Sequence, residues 1–283
     1  MPATSTARLS FRYARSWLLV AAGRPDLVET AGEGRADAVV LDLEDGVPAE
    51  LKNAARTTVA RCLRSGVHAW VRINDADTAY WAEDLAELGQ LPGLAGVVLA
   101  KVEHGDQIDA TAAALPSGTP IVALLESAEG IEAAAAVAAR PGTARLAFGS
   151  GDFRRDTGMG DTAEAMAYPR SRLTVASRAA GLPGPIDGPT VGDDEDRLRA
   201  DTAAASTLGM TARICLRTCQ VDSVNAALSP SRGDIDWATR FLEADAEGGS
   251  RDGSYRPQLA RARALIERAE IYSCPVPPRG RPE

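Results

Sequence analysis

The chain has 283 residues, 45% of them hydrophobic and 25% charged, with a formal net charge of -8. That is ordinary globular composition, and the length suits two small domains or one large α/β barrel. The acidic balance argues against a nucleic-acid partner, whose phosphates call for a basic excess.

The longest apolar stretches run to about eight residues, against the roughly 20 that span a bilayer. Residues 1–15 carry charge but no apolar signal-peptide core. No membrane partner is therefore expected, and a cytoplasmic location is. Cys62, Cys215, Cys219 and Cys274 fit that compartment as reduced thiols. Cys215 and Cys219 have no second Cys or His pair nearby and read as structural thiols rather than a zinc site. Lysine occurs only at positions 52 and 101 and histidine only at 68 and 104, so each remaining lysine draws attention.

In chain order, short β-rich apolar runs alternate with amphipathic Ala/Leu-rich segments. Strands are expected at 16–22, 37–43, 69–74, 96–102, 120–126 and 145–149, with two weaker ones at 185–188 and 212–216. The first six are nearly continuous apolar runs, as parallel strands buried on both faces require. Helices are expected at 48–65, 78–88, 105–115, 128–139, 169–180 and 193–208, with Pro and Gly at the joints. Eight alternations predict a (β/α)8 TIM barrel over residues 9–228. A doubly wound open sheet is the alternative, weakened by the lack of a G-x-G-x-x-G at the first turn. Helices at 235–246 and 258–271, joined by a polar loop at 247–257, make a C-terminal helical extension over 229–272, read as a lid or an oligomerisation element. Residues 273–283, rich in Pro and Arg, read as a disordered tail.

Charge gathers where barrel enzymes keep their sites, at the C-terminal ends of the strands. Strand two ends in Asp42-Leu43-Glu44-Asp45-Gly46, strand three in Arg72-Ile73-Asn74, and strand four in Lys101-Val102-Glu103. Strand five ends in Glu126-Ser127, and strand six in Gly149-Ser150-Gly151-Asp152. Glu126 and Asp152 can offer hard oxygens to Mg²⁺ while leaving positions open for water and substrate; otherwise they cap a helix and a turn. Arg72 can grip a carboxylate with two parallel N–H bonds, or be tied up in an ion pair with Asp42 or Glu44. Lys101 can pair with these carboxylates or form a Schiff base; the second is disfavoured because neighbouring acids raise a lysine's pKa. The amides around Ser150 and Gly151 could face an anion or a carbonyl oxygen. His68 falls at the wrong end of strand three and His104 in a loop, so both read as bystanders.

These elements resemble a known family. Arg15-Ser16-Trp17-Leu18, the run from Ala38 through Asp42-Leu43-Glu44-Asp45-Gly46-Val47 with Lys52 and Arg56, Val71-Arg72-Ile73-Asn74 and Leu124-Leu125-Glu126-Ser127-Ala128-Glu129-Gly130 are similar to citrate lyase beta-subunit-like proteins of the HpcH/HpaI aldolase superfamily. Phe148-Gly149-Ser150-Gly151-Asp152, the run Ala176 to Gly181 and Pro185-Ile186-Asp187-Gly188-Pro189 extend the likeness over residues 9–272. The resemblance implies a barrel, a homotrimer or a hexamer of trimers, and carbon–carbon bond cleavage or formation on short acyl-CoA thioesters. It implies Glu126 and Asp152 as Mg²⁺ ligands and Arg72 on the oxygens of a small keto acid such as oxaloacetate, pyruvate or glyoxylate. Glu44, Asp45 and Lys101 then belong to the surrounding catalytic shell, and Ser150 and Gly151 to the substrate contacts.

Two segments depart from the family pattern. Many relatives carry Cys-Ile-His-Pro at strand eight, where this chain has Cys215-Leu216-Arg217-Thr218. Many active relatives carry a Met-Val-Asp element whose Asp serves a neighbouring subunit; here the segment is Asp252-Gly253-Ser254-Tyr255-Arg256-Pro257, and Asp252 is no obvious substitute. The expected function is a Mg²⁺-dependent lyase for a citryl-, malyl- or citramalyl-CoA-like thioester. A class II aldolase of free hydroxy-keto acids and a non-catalytic metabolite-binding paralogue remain open.

Overall fold

The computed structural model describes residues 9–30, 34–246 and 252–274. Eight strands run in chain order, each feeding a helix: β1 (Ser16–Ala21), β2 (Ala38–Asp42), β3 (Ala69–Ile73), β4 (Leu94–Leu99), β5 (Ile121–Leu125), β6 (Thr143–Phe148), β7 (Ile186–Asp187) and β8 (Ala212–Cys215). They form a closed barrel in which every neighbouring pair is parallel, including β1 with β8. Closure satisfies both edges of every strand, and helices cover the outside. The strands are accordingly buried throughout, completely so in β2 and β5.

Inward-facing Trp17, Val40, Trp70, Val98, Val122, Leu124, Ala147, Ile186 and Ala212 fill the barrel as one cluster. Trp17 and Trp70 pack with ring centroids 5.0 Å apart and planes tilted by 58°, and a buried arginine ties the opening segment across the base. Arg145 donates to the carbonyls of Phe11 (2.8 Å), Ala14 (2.9 Å) and Gly184 (2.7 Å) and to the Thr211 hydroxyl (2.8 Å). The positive charge is thus satisfied by oxygen dipoles at the end of the barrel away from the strand-end charges.

The helices in this unit are α1 (Pro25–Thr30), α2 (Lys52–Arg64), α3 (Ala79–Leu88), α4 (Gly105–Ala114), α5 (Ala128–Ala138), α6 (Ser150–Thr157), α7 (Ala167–Ala179), α8 (Glu195–Thr207) and α9 (Val221–Ala227). Three of them, α1, α6 and α9, escape sequence pattern because each has eight residues or fewer, too short to show a periodic apolar face. Asp194 caps α8 by accepting the Arg197 amide (3.0 Å), and Ser127 caps α5 by accepting that of Gly130 (3.1 Å).

The chain divides into two compact units, residues 1–227 and 228–283. The second contains α10 (Arg232–Ala246) and α11 (Tyr255–Ile271), which pack through Ile235, Ala238, Ala262, Leu265, Ile266 and Ala269. Arg261 lies 4.7 Å over the Trp237 ring. The loop expected to reach Pro257 ends earlier, since α11 begins at Tyr255. Pro257 sits in its first turn, where the missing N–H costs nothing. Residues 247–251 of that loop and 275–283 of the expected tail lie outside the described residues. Among the described residues no helix is long and apolar enough to cross a membrane.

Candidate active site

The strand-end charges converge on one mouth of the barrel. Asp42, the last residue of β2, is buried and organises the turn that follows. Its Oδ1 accepts the Glu44 amide (2.9 Å) and its Oδ2 that of Gly46 (3.0 Å). A Cβ at position 46 would sit 2.3 Å from the same Oδ2, so only glycine lets the loop close over the carboxylate. From β3, Arg72 reaches across and donates Nε–H to Asp42 Oδ1 (2.7 Å) and Nη2–H to Oδ2 (2.8 Å), with Nη1 3.2 Å from Glu44 Oε2. The ion pair that competes with a substrate role for Arg72 is therefore present, to Asp42 and Glu44 together. Three of the five guanidinium N–H groups are used, and the remaining two lie one on each terminal nitrogen, where they can still take a carboxylate.

Lys101, just past β4, donates to Glu44 Oε1 (2.6 Å) and stands 3.4 Å from Asp45 Oδ1. Its backbone is left-handed, φ 53°, an uncommon conformation for a residue with a side chain. That twist turns its N–H onto Glu126 Oε1 (2.9 Å) while the side chain points to Glu44. Burial alone would lower the Lys101 pKa, but Glu44, Asp45 and Glu126 raise it well above the ordinary value. An ammonium held charged in this way is in the wrong state to attack a carbonyl.

Glu126 stands at the end of β5 and is 5% exposed. Gly149, at the end of β6, presses on it: a Cβ there would lie 2.2 Å from Glu126 Oε2, so the close approach requires glycine. Asp152 follows in the first turn of α6, 2.9 Å from Arg155. Burial, with Glu44 and Asp152 nearby, pushes the Glu126 carboxyl up to about 8 against the counter-pull of Arg72. Burial and Asp45 likewise raise Asp152. Glu44 is raised too, by burial, although Arg72 and Lys101 oppose it.

Asp45 differs. Burial would raise it, yet the Glu44 hydrogen bond, Lys101 and Arg72 hold it below the ordinary carboxylate range. Four carboxylates thus share a space that Arg72 and Lys101 do not neutralise. A hard divalent cation fits that deficit, and Mg²⁺ is commonly held by only one or two carboxylates with water and substrate completing six positions. Glu126 and Asp152, which line one cavity, could hold it.

Ser150 and Gly151 lie in the first turn of α6 rather than in an irregular turn, so their amides point toward the start of a helix. The Ser150 hydroxyl itself packs at Gly188, where a Cβ would approach it to 2.2 Å.

Two cavities flank the mouth. One, of about 400 Å³, is lined by Lys101, Glu126, Ser127, Asp152, Arg155 and Asp156 among others. The second, of about 840 Å³, opens beside Asp42, Asp45 and Arg72 and runs between β1 and the segment after β8, past Leu18, Leu27, Leu216 and Arg24.

Sequence reading missed the supports beneath this set. Lys52, in α2, is buried and donates to the carbonyls of Leu43 (2.6 Å) and Glu44 (2.7 Å) and to Asn74 Oδ1 (2.6 Å). Asn74 in turn donates to Asp84 Oδ2 (2.6 Å), which pairs with Arg56 (2.8 Å). The scarcity of lysine and the spacing of Lys52 and Arg56 behind the acidic motif are the signals that point to them. At the end of β7, Asp187 is gripped by Arg170 (2.9 Å) and Arg213 (2.7 Å), all buried. Cys215 is buried, its thiol pushed up to about 12 by burial. Glu103, His104 and Glu129 place ligating atoms within 4.8 Å of one another, but on the exposed rim. In the second unit, Asp252 precedes α11 and accepts the Ser254 amide (2.8 Å) and hydroxyl (2.6 Å), bonds that keep its carboxyl below the ordinary range. It is a poor proton donor.

Comparison with known proteins places the chain in a family. The family model for HpcH/HpaI aldolase/citrate lyase matches residues 15–218, and that for the HpcH/HpaI aldolase C-terminal domain matches residues 233–273. A citrate lyase subunit beta-like protein of Deinococcus radiodurans is 31% identical over 274 residues, covering 89% of this chain and 96% of that protein. A (3S)-malyl-CoA thioesterase of Cereibacter sphaeroides is 29% identical over 245 residues, covering 83% and 85%. Among solved structures, CitE of Mycobacterium tuberculosis in complex with magnesium, acetoacetate and coenzyme A superposes with a TM-score of 0.77 at 29% identity, over 92% of this chain and 99% of that one.

Proposed function

We propose that this chain, which belongs to the HpcH/HpaI aldolase/citrate lyase family, is a Mg²⁺-dependent carbon–carbon lyase for a short 3-hydroxyacyl-CoA of the citryl-, malyl- or citramalyl-CoA kind. The observation that carries the reading is the apposition at one cavity of buried Glu126 and half-buried Asp152, with the Arg72 guanidinium acting on Glu126 and holding donors in reserve. The magnesium, acetoacetate and coenzyme A held by the M. tuberculosis relative support the same ligand classes here.

Glu126 and Asp152 would hold the Mg²⁺, which supplies Lewis acidity toward the hydroxyl and carboxylate oxygens of the substrate. Arg72 takes the substrate carboxylate end-on, its orientation fixed by Asp42 and Glu44. Asp45, kept ionised by its neighbours, is the group assigned to accept the hydroxyl proton. Loss of that proton turns the C–O bond into the carbonyl of the released keto acid. The adjacent carbon–carbon bond breaks, and its electron pair passes to the thioester enolate, which takes up a proton to leave an acyl-CoA. Lys101 holds Glu44 and, through its amide, Glu126. Ser150 and Gly151 offer amides to the ligand from the start of α6. The 840 Å³ cavity beside Arg72, with apolar walls and Arg24, suits the pantetheine arm of CoA. Helices α10 and α11 belong, on this reading, to a lid or to the interface of a trimer or hexamer, which light scattering of the purified protein checks.

Cleavage of malyl-, citramalyl- and citryl-CoA, and of the corresponding free acids, tests the proposal. Products are separated so that keto acid plus acyl-CoA is distinguished from hydroxy acid plus CoA, the products of the thioesterase relative. Cleavage confined to thioesters, and lost with Mg²⁺ binding in Glu126→Ala, is expected. Full activity in that variant removes the metal reading; cleavage of the free acids instead makes the protein a class II aldolase. Tight acyl-CoA binding without turnover makes it a binding paralogue.

A further inference from the structure

Behind the first turn of α6, on the outer side of the barrel, a polar cavity of about 40 Å³ lies among α6, α7, α8 and β8. Ala212 faces the barrel interior, so its neighbour Arg213 projects outward beneath the helices. Four arginines line the cavity: Arg154, Arg170, Arg197 and Arg213. Their counter-charges are fewer. Asp187 serves both Arg170 (2.9 Å) and Arg213 (2.7 Å), and Asp161 serves both Arg154 (3.2 Å) and Arg197 (2.6 Å). Asp201, the third carboxylate, stands 3.7 Å from Arg197 and 3.8 Å from Arg213 and accepts the Thr190 hydroxyl (2.8 Å). One positive charge is left over.

A buried donor is left over as well. Arg213 is 2% exposed. Its Nη1 donates to Asp187 and its Nη2 to the Thr190 hydroxyl (2.8 Å), while Nε–H meets no acceptor among the described residues. In the rigid guanidinium fork Nε–H and one Nη2–H share a side, and Nη2 is the nitrogen 3.8 Å from Asp201, a wall residue of the cavity. The unused donor is therefore directed to the cavity side. One anion relieves both the orphaned N–H and the excess charge. Ser150 and Thr162 add hydroxyl donors to the wall. The volume admits about three water-sized positions, which suits chloride or a tetrahedral oxyanion and excludes an organic acid as long as gluconate.

We infer that this cavity is a binding site for a small inorganic anion, chloride or phosphate, that ties α6, α7 and α8 to β8. The lyase reading does not enter, because of the residues assigned to the mouth only Ser150 borders the cavity.

Thermal unfolding in chelator at constant sodium concentration, with chloride, phosphate or gluconate as the anion, tests this. Chloride or phosphate at about 100 times its Kd should raise the melting temperature by about 5 °C over gluconate, along a saturating curve. The anion that does so identifies the ligand. Ala204→Leu fills the cavity from α8 while keeping every charge, and should abolish the rise. General salt effects act on both proteins alike. Arg197→Gln, at a half-exposed position, should weaken the anion at least about 10-fold. Arg24→Gln, in the larger cavity at the mouth, should leave the rise intact. In crystals grown with bromide for chloride, an anomalous peak should lie beside Arg213 Nε. Equal melting in all three salts overturns the inference, as does a rise that survives both Ala204→Leu and Arg197→Gln or is lost in Arg24→Gln. Crystals in bromide and in phosphate that show only water in the cavity also overturn it.

Discussion

Replacing Glu126 by glutamine should stabilise the metal-free protein while abolishing its metal binding, and both effects follow from one charge. The side chain is 5% exposed, and its carboxyl is pushed from an ordinary 4.5 up to about 8. Below pH 4.5 it is protonated in both folded and unfolded chains and costs nothing. As pH rises, the unfolded chain releases the proton first, so the folded state loses about 1.4 kcal/mol per pH unit until the folded carboxyl ionises near 8. The accumulated penalty is on the order of 4–5 kcal/mol. Glutamine keeps the acceptor for the Lys101 amide and carries no charge. For a domain of this size, roughly 2–4 °C per kcal/mol makes the gain about 10 °C in melting temperature at pH 9. Thermal unfolding in chelator across pH 5–9 should show the variant's advantage growing up to pH 8 and then flattening. Added Mg²⁺ should raise the wild type alone, with an affinity that climbs toward pH 8 because metal and proton compete for one carboxyl. An advantage independent of pH, or a wild type that gains stability as pH rises through 8, refutes the reasoning.

Other expectations concern the supports of the site. Lys52→Met leaves three buried oxygens without their donor and should cost about 3 kcal/mol in denaturant unfolding, with a rise in KM as the loop at 44–46 loosens. Arg72→Lys keeps the charge but not the two parallel bonds to Asp42, so kcat/KM should fall at least about 100-fold in a folded protein. Asp187→Ala leaves Arg170 and Arg213 buried without their shared counter-charge and should cost about 3–5 kcal/mol. Wild-type stability in that last variant would show that the buried network is satisfied some other way.

The sequence by itself determined the barrel and the residues at its mouth. Continuous apolar runs of strand length can be buried on both faces only in a parallel sheet covered by helices, and a charge ending each run marks the same end each time. So Glu44, Asp45, Arg72, Lys101, Glu126 and Asp152 were legible from the ends of five separate strands. Short α1, α6 and α9 were not, because eight residues or fewer carry no readable period. Tertiary structure alone decided how the residues divide their work. Whether Arg72 meets Asp42 or a ligand depends on a crossing between strands, and the answer is Asp42 and Glu44 with two donors to spare. The left-handed turn at Lys101, the pressure of Gly149 on Glu126 and the anchoring of the β2 loop by Lys52 are contacts between residues 8 to 57 positions apart. Local pattern has no access to such distances. The electrostatic stress that raises Glu126 arises only when closure of the barrel buries it and brings Glu44 and Asp152 close to it.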